Sequence, residues 1–247
     1  VAGKMRKMPR PADPNIETVL DEFLEEQERR LKPRTFRNYE DTVSLLKDYL
    51  NGYAYESLSE SEHAFFEKKY EEIGEEAFCE IFGPEKIAEE LSPFLDDFML
   101  RKVAAGESFF KAAGTVCRKL LKWLEKKGYV REEDAADFKD RVSGAARDVP
   151  RAEKASQILY EYSMMMSFGL ENVNPKNIRM MDYYMIYRVE PGRLWLAPPV
   201  AGEKMIGPVE VPEEVTDLVE EGWTLSCTLA RKGRRWLIVE TGNVYPL

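Results

Sequence analysis

The chain has 247 residues, 44% hydrophobic and 33% charged, with a net charge of −9, three cysteines and one histidine. That balance is globular and large enough for two cores. No run of eighteen apolar residues occurs, which speaks against a membrane span, and Cys79, Cys117, Cys227 and His63 share no short motif, which excludes zinc fingers and argues against a disulfide framework.

The start, "VAGKMRKMPRPADP", is basic and proline-rich without an apolar core, so residues 1–12 are expected to be a flexible basic arm rather than a secretory signal, and a cytoplasmic location is expected. Asp13 before Pro14 predicts a cap and first turn, followed by Ile16, Val19, Leu20, Phe23 and Leu24 at helical spacing. After "LKPR" a second helix carries Tyr39, Val43, Leu46 and Leu50 on one face. Residues 54–90 are acidic and aromatic, with short helices broken at Gly83 and Pro84, and a further helix is expected from Pro93. "FFKAAGTVCRKLLKWLEKKGYV" is the clearest helix, with Ser108 its expected cap and Gly128 its stop. Two more helices are expected, "REEDAADFKDRVSGAAR" and one opening on Pro150.

After residue 176 the apolar period shortens. Tyr183–Val189, Leu194–Ala197, "IGPVEVP", Trp223–Ala230 and Trp236–Glu240 predict five strands, with a helical turn at "EEVTDLVEEG" and hairpin turns at "EPGR" and "RKGRR". The expected fold class is therefore α+β in two domains: an all-α bundle over 13–130 with an acidic insertion at 54–90, a helical extension and linker over 131–175, and a small β-barrel of OB or Sm-like kind over 176–247. Trp195, Trp223 and Trp236 should be buried or share one surface platform.

Charge is unevenly distributed. Residues 1–50 carry ten basic and ten acidic side chains, 51–99 three and fourteen, 100–175 fourteen and eleven, and 176–247 nine and ten. Nearly all the acidity lies in one block, so the total does not exclude an anionic partner. On the helix near 109–127, Phe110, Ala113, Cys117, Leu120, Leu121 and Leu124 fall on one side and Lys111, Arg118, Lys119, Lys122 and Lys126 on the other. Such a stripe suits phosphate contact, or is simply a solvated face. Lys32, Arg34, Thr35 and Arg37 open the second helix, where backbone N–H groups favour an anion; the alternative is that the arginines pair with acids of the first helix or of 54–90. Arg231, Lys232 and Arg234 crown a hairpin beside Trp236, as a backbone grip or an ordinary solvated turn.

Two stretches, "KPRTFRNYEDTVSLLKDYL" and "FLDDFMLRKVAAGESFFKAAGTVCRKLLKWLEKKGYV", resemble the Thr-x-x-x-Tyr helix and the closing helices of the SAM-like N-terminal core-binding domain of the phage integrase, or tyrosine recombinase, family. The resemblance covers about 15–130 and implies a helical clasp on duplex DNA through phosphates; the acidic stretch at 54–90 departs from it. The family's His-x-x-Arg pair is missing, since His63 precedes Ala64, Phe65 and Phe66, and the strand-rich end is unlike its catalytic domain. No phosphate-binding glycine loop or Cys–His pair appears. "MMM", Met164–Met166, suggests adaptable core packing. The sequence thus predicts a non-catalytic DNA-binding protein without cofactor or metal. Its alternatives are a protein-interaction adaptor working through the acidic block or the barrel, and an enzyme with an unfamiliar interdomain site.

Overall fold

The computed structural model describes residues 10–167, 177–200 and 202–246. The chain divides into two compact units, Val1–Phe94 with Ala112–Ser143 and Leu95–Lys111 with Gly144–Leu247. These boundaries differ from those expected at 130 and 175, and two of them fall inside continuous helices, where no turn residue marks a change of packing. Met164 to Met166 close the last long helix, with Met164 and Met165 exposed rather than in a core.

In the first unit, α1 spans Ile16–Glu28. Its cap is Asn15, whose Oδ1 accepts the Thr18 N–H at 2.9 Å, two residues later than the Asp13 cap the sequence suggests. The Asn15 side chain also donates to the Glu80 carbonyl at 3.1 Å, which fixes the helix start against the acidic segment. Helix α2, Pro33–Gly52, opens with proline at its first position, where a missing N–H costs nothing. The acidic segment forms a 3-10 turn at Ala54–Ser57, α3 at Glu60–Ile73 with a Ser59/Glu62 capping box, α4 at Ala77–Ile81 and α5 at Glu85–Pro93. Ile16, Leu20, Phe23, Leu46, Leu50, Phe78 and Leu91 are among the fully buried side chains around which these helices close.

Pro93 does not start a helix. It ends α5, a π turn follows at Phe94–Phe98, and α6 continues over Met99–Lys102. Proline lacks the N–H that would bond back one turn, and the ladder widens just after it. Helix α7 spans Glu107–Lys126, so Ser108 lies inside its first turn rather than capping it. Helix α8 is one element, Glu132–Ser167, where two were expected. Its buried stripe of Ala145, Val149, Ala152, Ala155 and Leu159 runs through Pro150 at helical spacing, and that packing offsets one lost backbone bond.

The second unit carries five strands: β1 Ile178–Glu190, β2 Arg193–Ala197, β3 Ile206–Glu210, β4 Thr224–Lys232 and β5 Arg235–Tyr245. A helical turn, α9 at Glu213–Thr216, joins β3 to β4. Pairing runs β1-β2-β3-β5-β4 and returns from β4 to β1, so every strand has two neighbours; β3 and β5 are parallel and the other pairs antiparallel. Ile186, Leu194, Leu196, Val209, Leu225, Cys227, Leu229 and Ile238 are fully buried.

The two sides of this sheet differ. From Leu225 to Ala230, β4 is buried at every position, and helical residues of the same unit bond to β5 beside it. The Val244 N–H donates to Ser156 Oγ at 2.8 Å, and the Asn243 amide donates to the Leu100 carbonyl at 2.6 Å. On β1, by contrast, buried Tyr184 and Ile186 alternate with exposed Tyr183, Met185 and Tyr187. Trp223 is buried, while Trp195 and Trp236 are half-buried, each beneath an arginine, Arg188 at 4.9 Å and Arg231 at 5.8 Å. The three indoles therefore do not share one environment.

Candidate nucleic-acid interface

Helix α7 has the two faces its sequence predicts. Phe110, Ala113, Cys117, Leu120, Leu121 and Leu124 are buried, and Lys111, Arg118, Lys119, Lys122 and Lys126 are exposed. Their partners differ. Lys111 lies in the second unit and pairs with Glu107 at 2.5 Å, an i, i+4 bridge that holds the Glu107 carboxyl below the usual carboxylate range. Arg118 donates only to the Thr115 hydroxyl, at 3.4 Å. Among the described residues no carboxylate forms an ion pair with Arg118, Lys119 or Lys122.

The start of α2 is similar. Lys32 occupies the cap position without a side-chain capping bond, and Lys32, Arg34, Thr35 and Arg37 are all exposed. The expected alternative, pairing of Arg34 and Arg37 with acids of α1 or of residues 54–90, does not occur among the described residues. Cations near a helix N-terminus are unfavourable by the dipole alone, so these three carry an uncompensated local cost. The Phe23 ring of α1 contacts Tyr39 at 5.9 Å and Trp123 at 5.5 Å. Tyr39 is two residues past Arg37 and Trp123 one past Lys122, so both cationic groups sit on helices flanking the same ring.

The acids of α1 are engaged elsewhere. Lys127 binds Glu22 at 2.5 Å and Glu26 at 2.7 Å, and the Trp123 indole N–H donates to Glu26 at 2.8 Å. These bonds, from Lys127 first and Trp123 second, hold Glu26 below the usual carboxylate range and raise Lys127. Lys47 likewise bridges Glu17 and Asp21 at 2.5 and 2.8 Å.

The acidic block surrounds an open groove of about 1250 Å³. Glu67, Glu71, Glu75, Glu76 and Glu80 line it together with Tyr55, Phe66 and Tyr70. His63 also lies there, with Nδ1 3.6 Å from Glu67 and its ring edge-on to Tyr55. In the second unit, Arg231, Lys232 and Arg234 are exposed around the β4–β5 turn, where Gly233 has φ +66, and form no ion pair among the described residues. Arg235 reaches Glu210 at 3.3 Å.

The cysteines are all buried, and burial pushes the Cys79 thiol up to about 12 and raises Cys117 and Cys227 as well. None has the lowered pKa that a thiolate nucleophile needs. Among the described residues no cluster of three His, Cys, Asp or Glu side chains is placed to hold a metal ion, and no helix is long and apolar enough to cross a membrane.

Sequence reading missed the exposed row on β1. Within "MDYYMIYR" the inward-facing Tyr184 and Ile186 alternate in step with Asp182 and Arg188, while Met181, Tyr183, Met185 and Tyr187 form the wholly apolar set, so the string points to the wrong face as the buried one. No family model, curated protein or solved structure matches this chain.

Proposed function

We propose that the chain is a non-catalytic, cytoplasmic DNA-binding protein that holds duplex phosphates through Arg118, Lys119 and Lys122 of α7 and Lys32, Arg34 and Arg37 at the start of α2. The reading follows the resemblance of 15–130 to the clasping domain of tyrosine recombinases. One observation carries it: these cations of the first unit are exposed without an ion pair among the described residues, whereas Lys47, Lys69, Lys86, Lys127 and Lys139 of the same unit all have carboxylate partners. Lys111 leaves the proposed set because Glu107 neutralises it. Thr35 adds a hydroxyl donor beside Arg34. The second unit is read as a barrel of OB rather than Sm-like kind, supported by the parallel β3–β5 pair and by α9 between β3 and β4. Arg231, Lys232 and Arg234 are a subsidiary contact on it.

The adaptor alternative has its own support, the acidic and aromatic groove, whose chemistry suits a basic peptide segment of a protein partner. One titration separates the two. Anisotropy of a labelled duplex, followed from low to moderate salt, should show log affinity falling against log salt with a slope of about −5 for six engaged cations. The combined Arg118→Ala, Lys119→Ala, Lys122→Ala variant should lose affinity and flatten that slope by between about 2 and 3. Unchanged affinity in this variant overturns the proposal, and absence of duplex binding at low salt hands the function to the adaptor reading.

A further inference from the structure

The outer side of β1 carries a row of large exposed side chains, with the Tyr183 ring 6.1 Å from that of Tyr245. Tyr183 is 47% exposed and Met185 45% at alternate positions of the strand, and Tyr187 is 59% exposed in the bulge between Ile186 and Arg188. Contiguous exposed apolar side chains of this size mark an interaction surface rather than an idle one. The row continues onto β2. Met185 stands opposite Ala197, and Arg188 opposite Trp195, whose ring lies under the Arg188 guanidinium at 4.9 Å from its centroid. On β3, Gly207 is the floor for that indole: a Cβ there would come within 2.6 Å of Trp195 Cδ1. The absence of a side chain at Gly207 lets the ring lie flat on the sheet.

The charge beside this face is positive. Val209 pairs with Trp236 in the parallel β3–β5 ladder, so the register brings the start of β5 level with Pro208, next to the Gly207 floor. The β4–β5 turn therefore extends from the Trp195 side of the sheet, with Arg231, Lys232 and Arg234 exposed and without ion pairs among the described residues. The glutamates nearest this edge are already engaged, Glu190 by Arg188 and Glu210 by Arg235.

We infer that the outer face of β1 and β2, with Tyr183, Tyr187 and Trp195 as stacking rings and the cations of the β4–β5 turn as phosphate contacts, binds single-stranded nucleic acid. Tyr183 and Tyr187 are four residues apart, about 13 Å along the strand, roughly four times the spacing of stacked bases. Bases on Tyr183 and Tyr187 must therefore stack on protein rings rather than on each other, which a single strand can do and a paired duplex cannot. Every base has a π face, so binding is tolerant of sequence. A protein partner would also cover apolar rings, but Arg231, Lys232 and Arg234 of the turn, without ion pairs among the described residues, favour an anionic chain over a neutral one. This goes beyond the duplex reading and does not rest on it, because the α2 and α7 cations that carry that reading lie in the other unit and only the subsidiary β4–β5 turn is shared.

The test uses the full chain, a labelled short oligothymidylate and a labelled duplex at the same low salt. The Tyr183→Ala, Tyr187→Ala variant removes two exposed rings and leaves the buried sheet core intact. It should bind the single strand tenfold or more weaker, since each stacked base accounts for several-fold in affinity or more, while duplex affinity stays at the parent value. The Tyr183→Phe, Tyr187→Phe variant keeps the rings and should stay close to the parent. The Arg118→Ala, Lys119→Ala, Lys122→Ala variant should show the reverse pattern, with duplex binding weakened and single-strand binding kept, so each reading can fail alone. Single-strand affinity unchanged in the double Ala variant overturns the inference, as does a parent protein that ignores oligothymidylate at low salt.

Discussion

Gly207→Ala is a demanding test of the β2–β3 packing. The new methyl carbon would lie 2.6 Å from Trp195 Cδ1, 2.9 Å from Cγ and 3.1 Å from Nε1. Carbon atoms rest at about 3.5 to 4.0 Å, so the ring must retreat by about 1 Å. Cγ is the root of the indole, and it cannot move that far unless χ1 changes or β2 shifts. Shifting β2 would strain its pairs with β1 and β3, Arg188↔Trp195 and Leu194↔Val209. Swinging the ring out exposes its buried side and strips Arg188 of its cation–π contact. Overpacking of this kind costs roughly 1–3 kcal/mol, and the lower unfolded-state entropy of alanine returns about 0.4–1 kcal/mol. The net expectation is a loss of about 1–2 kcal/mol for the second unit, read in urea as a lower midpoint at unchanged slope. Gly83→Ala is the control, because its Cβ meets only the Glu85 carboxylate, the free end of a flexible side chain. Its cost should stay within about 0.5 kcal/mol. Equal stability of Gly207→Ala and parent, or equal losses in both variants, would refute the reasoning.

Tyr49→Phe tests the buried carboxylate of Glu90, which is 4% exposed and accepts bonds from the Tyr49 hydroxyl at 2.5 Å and the Ser57 hydroxyl at 2.6 Å. Removing one donor from a charged acceptor in a buried site should cost roughly 1.5–3 kcal/mol in urea unfolding of the first unit, and a change under about 0.5 kcal/mol would mean that Glu90 is otherwise satisfied. Glu26→Gln tests the pH dependence of the Lys127 and Trp123 contacts. Because the folded-state pKa of Glu26 is lowered, its contribution is complete above the unfolded value of about 4.3 and disappears as pH falls through the lower folded value. Parent and variant should therefore differ at pH 7 and converge in acid; a gap that persists well below pH 3 would assign the effect to packing instead.

The amphipathic face of α7 was legible because its apolar residues recur at helical period without interruption, and the strands were legible from their alternation. Where the sequence misled, a local signal lost to packing. Pro150 reads as a helix start, yet the stripe from Ala145 to Leu159 holds one helix through it. Asp13 and Asn15 are both good caps, and Asn15 prevails because its amide also reaches the Glu80 carbonyl, sixty-five residues away. The Glu107–Lys111 bridge was present in the string at i, i+4 spacing, and counting cations without their partners overlooked it. The β1 row was hidden for a different reason. Tyr183, Met185 and Tyr187 belong to the more apolar alternate set, yet Tyr184 and Ile186, in step with Asp182 and Arg188, are the ones that turn inward, so local alternation pointed to the opposite face.

The same point bears on how an acidic chain can hold DNA. A net charge of −9 describes the whole molecule, but a phosphate responds to the field where it lands, which solvent screens beyond about 8 Å at physiological salt. On α1 five of the six carboxylates are paired: Glu17 and Asp21 with Lys47, Glu22 and Glu26 with Lys127, and Glu25 with Arg29, while Glu28 has no ion pair among the described residues. The Lys127 bridges cancel negative charge beside the end of α7, and Lys139 does the same for Glu125 of α7 itself, whereas Glu17 and Lys47 line the acidic groove. Much of the acid gathers around the groove of residues 67–80, although Glu28, Glu40 and Asp41 are exposed without ion pairs among the described residues. Reversing one of these bridges is therefore more damaging than deleting a distant acid is helpful. Lys127→Glu would free Glu22 and Glu26 and add a third negative charge beside Lys122, whereas Glu75→Gln changes only the groove.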